Sequence, residues 1–240
     1  MIRIGTAGWA IPAQLRPDFP GDGQILQRYG AIMPAVEINS SFYRPHQTKT
    51  YARWAAMVPD DFRFAVKLPR SVTQDARLRG CDTVLTEFLA QVHGLGPKLG
   101  VLLVQLPPSL PFDAKVTADF FRLLADQTDA AIACEPRHAS WFASAADALL
   151  REHHVARVAA DPPRDPADGV PGGARTRLAY FRLHGSPRIY WSAYDDARLR
   201  RLAAHLQEAR AKEVWCIFDN TAGGAALADA RRLQALLHMA

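Results

Sequence analysis

The sequence has few cysteines and no long hydrophobic segment. Its three cysteines, Cys81, Cys134 and Cys216, are widely separated and form no C-x-x-C pair. An odd number of isolated cysteines argues against a disulfide framework. The longest uncharged stretch, Leu99–Phe112, has 14 residues and contains three prolines, so it is too short and too interrupted to span a membrane. The amino terminus has no apolar signal-peptide core. We therefore expect a cytoplasmic protein with reduced thiols and no membrane association.

Several motifs of well-known active sites are also missing. There is no G-x-G-x-x-G turn, no P-loop and no G-x-S-x-G elbow, which disfavours dinucleotide-binding proteins, P-loop NTPases and serine hydrolases. The H-x-H and H-E-x-x-H spacings and the paired Cys/His spacings of metal sites are absent as well. The sequence therefore predicts neither an organic cofactor nor a dedicated metal site.

Neither positive nor negative charges are concentrated in one segment of the chain. The chain has 29 Lys and Arg against 24 Asp and Glu, a formal net charge of +5. Hydrophobic residues make up 49% and charged residues 22%, which is ordinary for a globular protein and excludes disorder. The excess of positive charge fits either a solvated outer surface or an anionic partner such as nucleic acid.

Eight short apolar runs are separated by longer segments with helical periodicity. The runs are Ile2–Gly8, Ala35–Asn39, Phe62–Lys67, Gly100–Leu106, Ala131–Glu135, Val155–Ala160, Leu178–His184 and Val214–Asp219. This alternation predicts an α/β protein with a parallel sheet, and eight strands is the number that closes a (β/α)8 TIM barrel. A doubly wound open sheet is the alternative, but its glycine-rich turn is replaced here by G-x-x-G at Gly5 and Gly8.

We therefore predict a single TIM-barrel domain over residues 1–240. The segment Asp161–Thr176 is rich in Pro, Asp, Gly and Arg, so the helix after the sixth strand is expected to be reduced.

Polar residues stand where the predicted strands end. Side chains alternate along a strand, so every second residue points toward the barrel axis. The polar residues at these ends are Glu37, Asn39, Lys67, Gln105, Glu135, Asp161, Arg182, His184 and Asp219. In barrels the catalytic groups come from the carboxyl-terminal ends of several strands. The pattern predicts a polar pocket there, and a solvated rim without chemistry is the alternative.

This polar set is mixed in sign, which suits a small substrate with hydroxyl, carboxylate or phosphate groups. Neighbouring charges can bring the pKa values of Glu135, Lys67 and His184 toward neutrality, so we predict that these residues carry protons. Glu37 is a fourth catalytic candidate. The predicted oxyanion clamps are Arg137 and Arg182, because a guanidinium binds oxyanions in a bidentate way.

The last run leads into a glycine-rich loop before the final predicted helix. This loop contains Asp219, Asn220, Gly223 and Gly224. Free amides at a helix amino terminus bind anions, and barrels often hold phosphate after strands seven and eight. A simple turn capped by Thr221 is the alternative interpretation.

Aromatic residues gather in the same predicted loops. They are Trp9, Phe42, Tyr43, Trp141, Phe142, Tyr190, Trp191 and Tyr194. Such residues stack on a sugar or a base in some proteins and pack loop against loop in others. Both interpretations stay open.

Seven motifs, taken in order along nearly the whole chain, resemble the YecE-like family, known as domain of unknown function 72. They are Gly5–Trp9, Val36–Arg44, Phe62–Lys67, Gln105–Pro108, Glu135–Phe142, Arg182–Gly185 and Asp219–Gly224. The resemblance implies a TIM barrel with a polar pocket but no established reaction. The family's motif positions fall on Glu37, Asn39, Tyr43, Lys67, Gln105, Glu135, Arg137, His138, Asp161, Arg182, His184 and Asn220.

The chain departs from that family pattern at four positions. Ala7 and Ala10 stand where serines are usual, and Gln74 stands where a histidine is common. Asp219 replaces a frequent asparagine. A missing proton carrier at position 74 would change the rate or the substrate.

Three functions are compatible with these observations. The leading hypothesis is an enzyme that acts on a small polar or anionic, sugar-like metabolite by acid–base chemistry, without an organic cofactor. The first alternative is a nucleic-acid-associated protein that uses the arginines and the loop aromatics. The second is a metal-dependent phosphoesterase or isomerase with ligands from Glu37, Glu135, Asp161, His184 and Asp219.

Overall fold

The barrel strands form in the order that the apolar runs predict. In the computed structural model, which describes residues 1–238, each run becomes a strand or a pair of strands. The strands are β1 Ile2–Ala7, β2 Ala35–Ile38, β3 Arg63–Lys67, β4 Leu99–Gln105, β5 Ala131–Glu135, β6 Val155–Arg157, β7 Ala159–Asp161, β8 Gly172–Gly173, β9 Leu178–Leu183 and β10 Glu213–Phe218.

α-Helices lie between these strands along the chain, and the last helix follows β10. They are α1 Ile25–Gly30, α2 Ser40–Tyr43, α3 Thr48–Ala56, α4 Asp82–Val92, α5 Ala114–Ala125, α6 Ser144–Glu152, α7 Asp196–Glu208 and α8 Ala226–His238. Asp113 begins α5 by accepting a hydrogen bond from the Val116 amide, and Asp195 begins α7 in the same way. Within residues 1–238, no helix combines the length and the apolar character that crossing a bilayer requires.

The barrel wall has eight parallel strand positions, called staves below, and the sixth stave consists of two short strands through which the barrel closes. β6 pairs with β5 and β7 pairs with β9, and Val158 joins these two short strands. β1 pairs in parallel with both β2 and β10, and β10 pairs with β9. Eight parallel staves therefore form a closed (β/α)8 barrel, which confirms the predicted fold. The remaining strand, β8, is a short antiparallel addition to β6.

The crossover from β7 to β9 is the irregular part of the barrel. The segment between these strands contains β8 and a 3-10 turn at Pro166–Gly169, but no α-helix. Prolines lack the backbone N–H that a helix interior needs, and this segment contains Pro162, Pro163, Pro166 and Pro171. The predicted reduction of the helix after the sixth strand is confirmed.

The barrel interior is narrow and apolar in its middle layer. Small residues such as Ala35, Ala65 and Ala133 face the axis, and the rings of Tyr180 and Trp215 fill the remaining space. Gly5 lies where a Cβ atom would come within 2.3 Å of the Ala35 carbonyl oxygen, so only glycine allows β1 to pass there. The polar residues at the carboxyl-terminal ends of the strands lie above this apolar layer.

Candidate active site

The centre of the polar layer is Arg182 on β9, whose side chain is fully buried. Its Nη2 donates to Glu37 Oε1 at 2.7 Å and to Asp219 Oδ2 at 2.9 Å, and its Nη1 donates to Glu135 Oε2 at 2.5 Å. A planar guanidinium with five N–H donors suits such a multidentate arrangement. Arg182 thereby joins the ends of β2, β5, β9 and β10.

Glu37 on β2 is fully buried, and both of its oxygens are occupied. Arg182 Nε and the Tyr180 hydroxyl donate to Glu37 Oε2 at 3.1 Å and 2.8 Å. A buried carboxylate needs such partners, because desolvation otherwise disfavours its charge. Glu37 therefore fixes Arg182 and is not reachable from the barrel mouth.

Glu135 on β5 is surrounded by donors on both oxygens. Its Oε1 lies 2.8 Å from His184 Nε2 and accepts a hydrogen bond from Arg137 at 3.3 Å, while its Oε2 accepts from Gln105 at 2.7 Å. Burial alone would raise the pKa of Glu135, but Arg182 and His184 hold that pKa well below its usual range. Glu135 is therefore a fixed anion that orients its neighbours.

His184 bridges two carboxylates just beyond β9. Its Nδ1 lies 3.2 Å from Asp219 Oδ2, opposite the contact to Glu135. Burial lowers the pKa of His184, but the pull of Glu135 and Asp219 is larger and raises it above 6.5. Burial would also raise the pKa of Asp219, but Arg182 and His184 lower it. The arrangement favours an imidazolium between two carboxylates.

Lys67, at the end of β3, lacks an ion-pair partner: among residues 1–238, no carboxylate oxygen lies within 4.0 Å of its Nζ. Nζ lies 4.0 Å from the ring centroid of Phe42, a cation–π contact. Burial, followed by repulsion from Arg182, lowers the pKa of Lys67 from 10.5 to about 8, despite attraction by Glu37 and Glu135. This amine can therefore exchange a proton near neutral pH.

Arg137 extends from the end of β5 toward the barrel mouth, where 16% of its side chain is exposed. In the part of the chain that the structure describes, its hydrogen bonds all come from Nη2, to Glu135 and to the Tyr190 hydroxyl at 3.2 Å. The remaining N–H donors are available to an anion. Tyr190 has a φ of 67°, a left-handed conformation that non-glycine residues rarely adopt.

Three other predicted residues surround the network without joining it. Asn39 follows β2, and its Oδ1 is buried with no hydrogen-bond partner within residues 1–238. Tyr43 on α2 is 83% exposed. His138 caps a 3-10 turn, because its Nδ1 accepts a hydrogen bond from the Ser140 amide and lies 2.8 Å from the Ser140 hydroxyl.

Asp161 lies outside the polar layer, contrary to the expectation from its place at the end of a run. Ala160 pairs with Arg182 and shares its inward direction, so the alternation turns Asp161 outward. There the carboxylate forms an ion pair with Arg198 on α7. Because the whole stave is buried on both faces, the sequence does not reveal which set of alternate residues faces the axis.

The loop after β10 is occupied by internal contacts. Asn220 is fully buried, and its Nδ2 donates to the Ser192 carbonyl and to Asp229. Gly223 packs against Trp191 so closely that a Cβ atom would lie 2.6 Å from the Trp191 carbonyl oxygen. Gly224 has a φ of 74°, and its amide donates a hydrogen bond to the Thr221 backbone carbonyl. These contacts shape the turn that leads into α8.

The side chains that the metal-dependent alternative would use as ligands are engaged in other contacts. Glu37, Glu135 and Asp219 bind Arg182, and His184 lies between two of these carboxylates. Across residues 1–238, no group of three or more His, Cys, Asp or Glu side chains is arranged to hold a metal ion.

Sequence reasoning overlooked Tyr180, and it named Phe42 and Gln74 without placing them in this layer. Tyr180 supports Glu37 from below, Phe42 covers the Lys67 ammonium, and Gln74 donates to the Gln105 carbonyl at 3.3 Å. Tyr180 was detectable in principle, because it precedes Arg182 by two residues on one strand and so faces the same way. The other two lie on different elements, and only the fold brings them close.

A cavity of about 660 Å³ opens at the opposite, amino-terminal end of the strands. Its lining includes Ile4, Met33, Pro34 and Phe62, with Asp61 as its carboxylate. In TIM-barrel enzymes the chemistry is at the other face. We therefore place the candidate site around Lys67 and Arg137.

Comparison with known proteins gives matches over the whole chain. The model of the family described as "Protein of unknown function DUF72" matches residues 3–240. The protein YecE of Escherichia coli K12 is 31% identical over 144 residues, 60% of this chain and 51% of that relative. The chain thus matches about half the length of the Escherichia coli relatives. The protein YunF of Bacillus subtilis is 25% identical, with 99% of this chain and 95% of that protein covered.

Solved structures agree with the barrel architecture. A crystal structure of a DUF72 family protein from Thermotoga maritima is 26% identical to this chain and superposes with a TM-score of 0.81 over 99% of both chains. Neither this structure nor the relatives YecE and YunF are named for a substrate or a reaction.

Proposed function

This chain belongs to the protein family DUF72, whose function is unknown, and we propose that it is an enzyme that acts on a small polar or anionic metabolite by acid–base chemistry. The reaction would take place at the carboxyl-terminal mouth of the barrel. The observation that carries the proposal is the pair of cations, Lys67 and Arg137, that face this mouth above buried carboxylates whose oxygens are already hydrogen-bonded.

The buried network gives these two cations their positions. Glu37, Glu135 and Asp219 all bind Arg182, and Glu135 and Asp219 also lie beside His184, so these groups form a hydrogen-bonded layer that fixes the geometry beneath the two cations. Glu135 holds Arg137 directly and attracts the Lys67 ammonium. Such preorganised cations bind an anionic group without rearrangement and stabilise negative charge that develops during a reaction.

The proposed roles of Lys67 and Arg137 follow from the exposure and the protonation of their side chains. Lys67 would transfer the proton, because its pKa is near the working pH of most proteins and its amine is not tied to a carboxylate. Arg137 would bind a carboxylate or phosphate group of the substrate with its free N–H donors. Glu135 and His184, which we first expected to carry protons, would instead position these groups.

We expect small phosphorylated or carboxylated sugar-like compounds to stabilise the protein thermally, because a ligand that binds only the folded state adds about 2.7 kcal/mol at a hundred times its dissociation constant. Arg137→Met should abolish this shift, since it removes the guanidinium that faces the mouth. The measurement is the melting temperature by scanning fluorimetry, with and without each anion.

The matched control is Arg200→Met, which removes the same charge from the exposed face of α7. It should keep the full ligand-induced shift. If both variants respond to anions like the unmodified protein, binding is not at the mouth and the proposal fails.

A second candidate function, binding of single-stranded nucleic acid, is favoured by exposed aromatic residues on the same rim. Tyr43, Tyr190 and Trp191 are 83%, 39% and 48% exposed, and the Arg188 guanidinium lies 4.4 Å from the Trp191 ring centroid. Exposed rings next to arginines bind bases by stacking.

For this alternative we expect a labelled single-stranded oligonucleotide to bind at low salt and to be released steeply as salt rises. Trp191→Ala should weaken binding, since stacking on one ring contributes about 1–3 kcal/mol. A Val170→Ala variant, which changes an exposed side chain on the β7–β9 crossover, serves as the control. Fluorescence anisotropy without any low-salt signal would eliminate this function.

A further inference from the structure

Lys67 stands apart from the other lysines of the chain. The sequence contains five lysines, and Lys49, Lys115 and Lys212 are exposed to solvent. Lys98 is buried, but its Nζ donates to the carbonyls of Ala55 and Val58 at 2.9 Å and 2.7 Å. The Lys67 amine makes no hydrogen bond to any group within residues 1–238, although most of its side chain is covered.

The surroundings of the Lys67 Nζ are those of a nucleophile rather than of a structural cation. The Phe42 ring, whose centroid is 4.0 Å from Nζ, covers the amine without offering it an oxygen acceptor, and burial together with the guanidinium of Arg182 disfavours its protonated form. Desolvation next to another cation is one of the ways in which proteins activate a lysine toward carbonyl carbons. A structural ammonium would instead have the carbonyl or carboxylate partners that Lys98 has.

We propose that Lys67 forms an imine with a carbonyl substrate that carries a carboxylate, such as a 2-oxo acid, whose anionic end is bound by Arg137. This proposal rests on the function proposed above and names its substrate class. Both cations face Glu135, which attracts the ammonium of Lys67 and accepts a hydrogen bond from Arg137. One substrate with a carbonyl and a carboxylate would engage both.

The chemistry balances without a cofactor. The lone pair of neutral Nζ attacks the carbonyl carbon, a C–N bond forms as the C=O π bond opens, and the nitrogen loses a proton while the oxygen gains one, which gives a neutral carbinolamine. The C–O bond then breaks, the oxygen leaves as water with a second proton, and a protonated imine remains. Overall, one amine, one carbonyl and one proton give one iminium ion and one water. The iminium then accepts electrons from a bond broken at the adjacent carbon.

Reductive trapping tests this proposal directly. The protein is incubated with glyoxylate or pyruvate and cyanoborohydride, which delivers hydride to the iminium carbon. We expect one mass addition per chain, equal to the mass of the oxo acid minus one oxygen. Tryptic mapping should find it on Lys67, because the secondary amine blocks cleavage between Lys67 and Leu68.

We expect Lys67 to be labelled at least about tenfold faster than Lys115 near neutral pH, because the Lys67 amine is desolvated and free of a carboxylate, whereas the Lys115 Nζ donates to Asp119 at 2.7 Å. Lys67→Arg should lose the label, since it keeps the charge but not the amine. The matched controls Lys98→Met and Lys115→Met should keep it.

Equal labelling of the exposed lysines, or labelling that survives Lys67→Arg, would overturn the imine. If anions still raised the melting temperature in that case, the proposed function would stand, with Lys67 as a proton carrier only. If neither trapping nor anion-dependent stabilisation occurred, both proposals would fall.

Discussion

Replacing Arg182 with methionine is expected to lower the free energy of unfolding by about 3–5 kcal/mol, because it leaves three buried carboxylates without their shared partner. For a chain of this size each kcal/mol shifts the melting temperature by about 2–4 °C, so the variant should melt roughly 10 °C lower. Urea denaturation followed by circular dichroism measures the difference. Arg122→Met, which removes an exposed ion pair with Asp119, should change stability by less than about 1 kcal/mol.

The same network predicts the response to acid. The pKa values of Glu135 and Asp219 are lowered in the folded protein. Their contribution to the free energy of unfolding is therefore complete above the unfolded pKa of about 4, and it is lost as the pH falls through the folded pKa values. Stability should decline more gently on acidification in Arg182→Met than in the unmodified chain.

Adding Glu37→Gln to Arg182→Met should restore part of the lost stability, because one unpaired charge is removed. A melting temperature that is unchanged in Arg182→Met would refute the structural role of this network.

Replacing Lys67 with methionine should have the opposite effect and stabilise the protein by about 1–2 kcal/mol at pH 7, since it removes a desolvated charge that lacks an ion pair. Methionine keeps an unbranched side chain of similar length against Phe42, so packing should be retained. The same variant should lose anion-dependent stabilisation. A gain in stability with a loss of binding is the behaviour expected of a residue that is retained for function.

The pH dependence separates this explanation from general packing effects. The folded pKa of Lys67 is about 8 and the unfolded value is 10.5, so between these values the unfolded chain binds one more proton than the folded one. The contribution of Lys67 to stability therefore rises with pH over this range, and the rise should be absent in Lys67→Met. Lys98→Met, which removes two hydrogen bonds to backbone carbonyls, should destabilise the protein at every pH. Destabilisation by Lys67→Met would contradict the assignment.

Much of the fold could be predicted from patterns within short segments of the sequence. Eight apolar runs and the intervening helical periodicity predicted the strands and their order. A strand or helix that packs against the core must carry its apolar residues at its own spacing, so this signal lies within each short segment. Period-two alternation also identified Glu37, Gln105, Glu135 and Arg182 as inward, polar strand ends, and the structure joins these four in one network.

The pairing of those side chains could not be derived in the same way. Arg182 and Glu37 are 145 positions apart, and their contact exists because β9 and β2 face each other across the closed barrel. For the same reason the sequence suggested Glu135 and His184 as proton carriers, whereas the structure surrounds both with fixed partners. The protonation behaviour of a group depends on all its neighbours, and most of these come from distant strands.

The sequence by itself determined the alternating α/β architecture, the weak crossover after the sixth stave and the face on which polar residues collect, because each of these depends on residues close together in the chain. Only the tertiary structure decided that Asp161 turns outward to Arg198, that Arg182 binds three carboxylates, and that Lys67 is left without an ion-pair partner within residues 1–238. The physical reason is that charge pairing is set by distances across the barrel, and barrel closure fixes those distances.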